Sequence, residues 1–333
     1  MPLLQAKKSL SKLFGGSPIF LFDKQELLGL AKQVGVEAVH IDTIGADCLS
    51  SHDGLIFVFS NRNLNDEQAL LSYLSKGSVL QFPLHAFNGN LKNCLYTLNM
   101  CKNFDVENAV KLNNQVVSVL ASKSARFDFL SPRNGLKIDL NDNIKIMEVA
   151  TNSMLGSDED LAFSAFSEVA LIPFETTGTN LTPEKLGYKI EGSLAIDGTL
   201  CAVHRGAPTK VVDQNRVVED FFCCLHKLNE FPMRAEIKNS KLSALFTRSG
   251  TDLSAMLIAG DAPIFNGTIL ELAVGTNASM NGNTIDWSFN SPVNESALGF
   301  HIAIGDGIRC PHIDLISIDP VGVRNLLRGI EYD

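Results

Sequence analysis

Leu270–Asp319 reads LELAVGTNASMNGNTIDWSFNSPVNESALGFHIAIGDGIRCPHIDLISID. Three short apolar runs stand out in it: Glu271-Leu-Ala-Val-Gly275, His301-Ile-Ala-Ile-Gly305 and His312-Ile-Asp-Leu-Ile-Ser-Ile318. Each is brief, rich in β-branched residues and bounded by Gly, Asn or Pro, which predicts three strands. Side chains alternate faces along a strand, so His312 and Asp314 point one way and Ile313 the other. A histidine and a carboxylate on one face, with His301 eleven residues upstream, have the composition to close on a divalent metal. The same His-x-Asp pattern also occurs as a surface pair or as a satisfied core histidine, so its surroundings must decide.

Working outward, the chain has 333 residues, 45% apolar and 20% charged, the composition of a soluble globular protein long enough for two domains. No stretch has the length of a membrane span, and the N-terminus lacks the apolar core of a signal peptide; Leu3, Leu4, Leu10, Leu13 and Phe14 fit one face of a short helix instead. A formal charge of −9 without a basic stripe argues against nucleic acid as a partner. The seven cysteines are scattered or adjacent, with no C-x-x-C, which suits reduced thiols in a cytoplasmic protein and gives no zinc knuckle.

Towards the N-terminus, apolar runs alternate with helical patterns. Pro18–Phe22, Ala38–Ile41, Gly54–Phe59 and Ser78–Phe82 read as strands; Lys24–Val34, Asp66–Ser75 and Asn90–Cys101 read as helices. Such alternation predicts an α/β domain with a mostly parallel sheet over residues 1–124, a scaffold or a dimerisation platform. No phosphate-binding glycine motif follows its strands. His40, His52 and His85 are isolated and read as structural. Val106–Ser122 is a long helical pattern that bridges the halves. From Arg126 the pattern changes to alternation, with a hairpin at Arg126–Leu130 and Leu136–Leu140. Residues 125–333 therefore read as a β-rich α+β domain, with further strands at Ser167–Pro173, Lys189–Ile196 and Lys241–Thr247 and a helix at Arg216–Leu228. His204 and His226 have no acidic or histidine neighbour in sequence.

In this order the segments resemble the aminopeptidase T / aminopeptidase S type of metallo-aminopeptidase, together with its shorter 2,5-dihydroxypyridine dioxygenase-like relatives. Phe127–Asp139 is similar to the hairpin that opens that family's catalytic domain. Ser167-Glu168-Val-Ala-Leu-Ile-Pro173 is similar to its Gly-Glu-Val-x-x-x-Pro segment, and Glu191–Gly198 to the hairpin that follows. Glu271, the run from Asn294-Glu295 to His301, and His312-Ile-Asp314 then follow in family order, so the resemblance spans about residues 125–320. It implies an aminopeptidase T type catalytic domain with Glu168, Glu271, His301, His312 and Asp314 as metal ligands. Glu295 is implied as an orienting group or general base. It also implies a homodimer and a peptide or small-molecule substrate. Two divalent ions (Zn, Co or Mn) would serve hydrolysis at a peptide N-terminus.

The chain departs from the pattern where the large aminopeptidases carry a catalytic tyrosine in a longer connection: only Ile302–Pro311 separates His301 from His312, and it holds no tyrosine. Two alternatives follow. His301, His312 and Asp314 also have the composition of a facial triad for Fe(II), which would make a ring-cleaving dioxygenase. The same fold could instead hold a peptide in a biosynthetic pathway without cutting it.

Overall fold

The computed structural model describes residues 4, 11, 16–44, 54–59, 78–100, 105–121, 126–140, 144–148, 162–164, 168–173, 185–204, 206–258 and 267–328. The helix expected at Asp66–Ser75, nearly all of the one at Leu3–Phe14, and His52 lie outside these residues.

The first unit follows from the apolar runs. Strands β1 (Ile19–Phe22), β2 (Ala38–His40), β3 (Gly54–Phe59) and β4 (Ser78–Pro83) pair in parallel in the order β2-β1-β3-β4. All four β1 side chains are buried, as expected of a strand covered on both faces. Helix α1 (Gln25–Gln33) returns the chain from β1 to β2 and turns Leu27 and Ala31 inward. Helices α2 (Leu91–Met100) and α3 (Val106–Ala121) follow.

The hairpin signal at residue 126 becomes β5 (Arg126–Leu130) and β6 (Gly135–Leu140), paired antiparallel. Next come β7 (Ile144–Glu148), β8 (Ala162–Ser164), β9 (Glu168–Pro173), β10 (Tyr188–Ile196), β11 (Gly198–Ala202), α4 (Thr209–Lys227), β12 (Met233–Lys238) and β13 (Lys241–Phe246). The chain ends with α5 (Ser254–Ile258), β14 (Ile269–Gly275), α6 (Pro292–Glu295), β15 (Gly299–Ile304), β16 (His312–Ile318) and α7 (Pro320–Arg328). β8 pairs parallel with β4, so the chain returns to the first sheet after leaving it through the hairpin.

The other strands form two antiparallel sheets, β13-β12-β10-β6-β5 and β11-β16-β15-β14-β9-β7. Their facing apolar sides make one core, in which Leu136, Ile138, Ile190, Ala235 and Leu245 meet Val169, Leu272, Ile302 and Leu315. Phe129 stacks on Phe300 across it at 4.6 Å between ring centroids. Burial of this kind contributes roughly 1.5–3 kcal/mol per large apolar side chain. It fixes one face of the six-stranded sheet as a floor and leaves the opposite face for chemistry.

Two expectations are corrected. The segment Glu191–Gly198 is no hairpin: β10 stays in the five-stranded sheet while β11 pairs with β16 in the other. Asp197, between them, explains the change of sheet. Its N–H donates to Ile316 O and its Oδ2 accepts from Ile318 N, both at 2.8 Å, which docks the turn on β16. The helix expected from Arg216 begins at Thr209, directly after Pro208 at its N-cap. Proline is tolerated at that end because the first N–H groups of a helix lack partners anyway. No helix among the described residues is long and apolar enough to cross a membrane.

Candidate metal centre

Strand register brings the expected residues together. β14, β15 and β16 lie side by side, and paired residues share a face. Ala303 pairs with both Glu271 and Asp314, and Ala273 pairs with His301. Ala202 pairs with His312, and Gly275 with Glu168 of β9. Glu168, Glu271, His301, His312 and Asp314 thus all project from the face opposite the apolar core. Between them stand small residues, Ala170, Ala273, Gly275 and Ala303, which leave room above the sheet.

Glu295 arrives from outside the sheet, at the end of the one-turn helix α6. Gly275 makes this approach possible. A Cβ there would sit 2.1 Å from Ala297 O and 3.0 Å from Glu295 O, so only glycine lets the α6 segment lie on the strand.

His301 is the hub. Its Nε2 lies 3.5 Å from Glu168 Oε2, 3.7 Å from Glu295 Oε1 and 3.8 Å from Glu271 Oε1. His312 Nε2 lies 3.0 Å from Asp314 Oδ1 and 3.5 Å from Glu271 Oε2. Two overlapping sets, Glu168–Glu271–His301 and Glu295–His301–Asp314, each offer ligand atoms within 4.8 Å of one another. The structure thus gathers all six residues that the sequence singles out. Glu295 stands as near to His301 as the expected ligands do.

Burial is nearly complete. His301 is 1% exposed and Asp314 0%, and Glu168 and Glu295 are also buried; only His312 and Glu271 reach solvent, at side-chain exposures of 20% and 17%. Glu168 Oε2, His301 Nε2 and both oxygens of Asp314 are buried without a hydrogen-bond partner. Native proteins rarely leave such atoms unpaired, since each costs about 1–3 kcal/mol. The donor set, four carboxylates and two imidazoles, is one that divalent cations take. Orphaned buried donors together with this chemistry fit a metal ion.

The titration behaviour agrees. Burial pushes Glu168 up to about 8, against the pull of His301, and with help from Glu271 and Asp314. Burial and the charges of Asp314, Glu168 and Glu271 hold Glu295 well above the usual carboxylate range. Burial alone would keep the two histidines low, but the carboxylates around them outweigh it. His301 rises to about 9 and His312 to about 10. All four shifts favour the protonated form, as expected of a cluster short of positive charge.

One outer contact orients His312. His312 Nδ1 lies 2.8 Å from Gly305 O. A carbonyl can only accept, so in the neutral ring Nδ1 carries the proton and Nε2 turns its lone pair to the cluster. Gly305 has φ +84°, and a Cβ on it would fall 1.9 Å from Pro311 O, so the turn that supplies this carbonyl requires glycine. Sequence reading passes over both glycines. Their signal is a glycine closing each apolar run, at Gly275 and Gly305.

Three other histidines, among the described residues, make contacts of their own. His40 Nδ1 accepts from Asp42 N at 3.3 Å within its own turn. His204 is exposed and donates its backbone N–H to Gly307 O. His226 stacks on Phe231 at 3.6 Å between centroids. Glu191 is exposed and paired with Lys189 at 2.8 Å. Among the described cysteines, Cys94, Cys201, Cys223, Cys224 and Cys310 are free thiols.

Comparison with known proteins adds a family. The profile described as crocagin biosynthetic protein CgnE/B matches residues 15–322, and the chain belongs to that family. No curated protein matches. Among solved structures, the chain is similar to wild-type AmpT from Thermus thermophilus, with 13% identity over 94% of this chain and 93% of that one and a TM-score of 0.44. It is also similar to the 2,5-dihydroxypyridine dioxygenase of Pseudomonas putida KT2440, with 11% identity over 95% and 91% of the two chains and a TM-score of 0.45.

Proposed function

We propose that this protein is a divalent-metal-dependent hydrolase of a biosynthetic pathway, acting at the N-terminus of a peptide. The observation that carries the reading is the convergence of Glu168, Glu271, Glu295, His301, His312 and Asp314 on one spot, with four of their buried atoms unpartnered. The pathway comes from the family description. The peptide substrate comes from the order of sequence motifs between residues 125 and 320. A cation bound here would supply Lewis acidity to a carbonyl and make water easier to deprotonate. Glu168, Glu271, His301, His312 and Asp314 would hold it. With a cation bound, Glu295 would take a proton from the attacking water as the C–O bond forms and return it to the departing amine as the C–N bond breaks.

The test is metal content by mass spectrometry on untagged protein after reconstitution with Zn, Co or Mn, beside His301→Ala and Glu168→Ala. Stoichiometric metal in the wild type, lost in both variants, supports the centre. Release of an N-terminal residue from peptides with a free amine, but not from acetylated ones, supports the reaction. A wild type that retains none of the three ions, or that binds them equally in both variants, overturns the reading.

A second reading is a protein that binds a peptide without cutting it. It is favoured by the closure of the centre and by the lack of tyrosine between Ile302 and Pro311. Peptide binding that ignores EDTA, with no cleavage in metal-loaded protein, would favour it. The Fe(II) dioxygenase reading is weaker, because Glu168, Glu271 and Glu295 crowd beside the two-histidine, one-carboxylate set without a duty in it.

A further inference from the structure

The turn that carries Glu295 does not hold itself together. Helix α6 is four residues long, and the side chain of its N-cap, Ser291, makes no capping bond to it. A single turn of helix is unstable alone, so its shape must be imposed from elsewhere. Helix α2, which follows the parallel strands, imposes it. Tyr96 Oη donates to Asn294 Oδ1 at 2.7 Å and accepts from Asp286 N at 3.1 Å. The Tyr96 ring stacks on Phe289, 4.4 Å between centroids and 5° from parallel. Thr97 Oγ1 and Ser291 Oγ are 2.6 Å apart, and Asn93 Nδ2 donates to Asn290 O at 2.6 Å. Residues 93, 96 and 97 have the spacing of one helix face, so one side of α2 clamps the whole segment 286–294.

Asn294 is the point where the clamp meets the centre. It is fully buried and is the immediate neighbour of Glu295. Its Nδ2 donates to Phe289 O at 3.0 Å and lies 3.4 Å from Asp286 O, while its Oδ1 takes the Tyr96 proton. A small apolar cluster containing Met100, Met280, Ile285, Val293 and Ala297, with Tyr96 against it, closes the same junction.

We propose that Tyr96 is a positioning residue of the metal centre: its hydroxyl fixes Asn294, and through it the place of Glu295 beside His301 and Asp314. The α2 helix thereby joins Gly275 of the sheet in setting the sixth side chain of the site. This rests on the metal-site reading above and deepens it. Tyr96→Phe keeps the stack on Phe289 and removes only the hydroxyl, which strands a buried acceptor on Asn294 and leaves Asp286 N without the hydroxyl it donates to.

The experiment is a double-mutant cycle on the full chain, read by Co(II) titration after chelator treatment. Tyr96→Phe is expected to weaken Co(II) binding about tenfold, because a displaced Glu295 no longer adds its carboxylate to the group it forms with His301 and Asp314 around the ion. In a Glu295→Gln background the same change is expected to have no further effect, because residues acting through one another are not additive. The visible spectrum of Co(II) in Tyr96→Phe should move toward that of Glu295→Gln. Equal weakening in both backgrounds, or none in either, overturns the proposal and makes Tyr96 a purely structural residue. Should Tyr96→Phe not fold, Asn294→Leu cuts the same hydrogen bond from its other end and enters the cycle in its place. A wild type that binds no Co(II) is a different failure: it removes the metal-site reading itself, and this inference with it.

Discussion

His301 Nε2 lies 3.5 Å from Glu168 Oε2, and neither atom has a hydrogen-bond partner. The gap is too long for a charge-assisted hydrogen bond, which closes to about 2.7–2.9 Å. It has the right scale for two groups that share a third body. A fold selected for stability alone would draw the pair together or replace it with apolar residues. Holding the two apart costs stability, and that cost is concentrated on the one face that the apolar core does not use.

Asp314→Asn is therefore expected to stabilise the metal-free protein. Asp314 is fully buried in a group of four carboxylates, where its charge pushes Glu168 and Glu295 up, so neutralising the side chain relieves like-charge repulsion even though His312 Nε2 stands 3.0 Å from its Oδ1. The expected rise in Tm in EDTA is about 2–6 °C, with loss of the rise that Zn gives the wild type. Thermal melts with and without Zn check both halves. A lower Tm in EDTA would show that Asp314 is satisfied without a cation.

Gly275→Ala is expected to damage fold and site together. The new methyl would meet Ala297 O at 2.1 Å, and backbone cannot move aside as a flexible side chain can. The α6 segment must lift from the strand and take Glu295 with it. A loss of about 2–4 kcal/mol in urea unfolding is expected, along with weaker metal binding. A variant of unchanged stability and metal affinity would refute the close approach as the reason for this glycine.

His312 and Asp314 were legible because a strand's two-residue period can be read from sequence alone, and His301 opens the apolar run before them; Glu168 and Glu271 were reached only through the resemblance to the aminopeptidase T type. What joins them was not legible. The pairing of Ala303 with both Glu271 and Asp314 is a matter of register between strands, and nothing in a single strand specifies its neighbour. The resemblance implied a hairpin at Glu191–Gly198, where the residues themselves read as strand and turn, and Asp197 sends β11 to β16. The parallel sheet was legible in its apolar runs, but the return of β8 to β4 was not, because three residues carry no periodic signal. The contact of Tyr96 with Asn294 spans 198 positions and depends wholly on packing.

Gly305→Ala tests the orientation of His312. Its φ of +84° and the 1.9 Å approach of Pro311 O both oppose a side chain, so the turn must open and its carbonyl leave His312 Nδ1. Metal affinity is expected to fall about 10–100-fold, the usual range for such outer contacts. An accompanying loss of stability of about 1–3 kcal/mol is expected from backbone strain. Calorimetric titration with Zn measures the first and chemical unfolding the second. Lost stability with intact affinity would mean that His312 keeps its orientation without Gly305.

His226 sets an acid limit on stability that is independent of the centre. Its ring lies flat on Phe231 and is nearly parallel to Trp287, and its Nε2 is buried without a partner. Burial holds its pKa down at about 4, although Asp286 pulls the other way. The folded state thus resists a proton that the unfolded chain accepts near the ordinary value of about 6.5. Stability from this group is fully present above about pH 6.5 and is lost as pH falls toward 4. His226→Phe keeps an aromatic face in the stack and cannot be protonated. Between pH 7.5 and pH 5 its Tm should fall less than that of the wild type, by on the order of 2 °C. Parallel melting curves for the two proteins over that range would show that His226 titrates alike in the folded and unfolded chains.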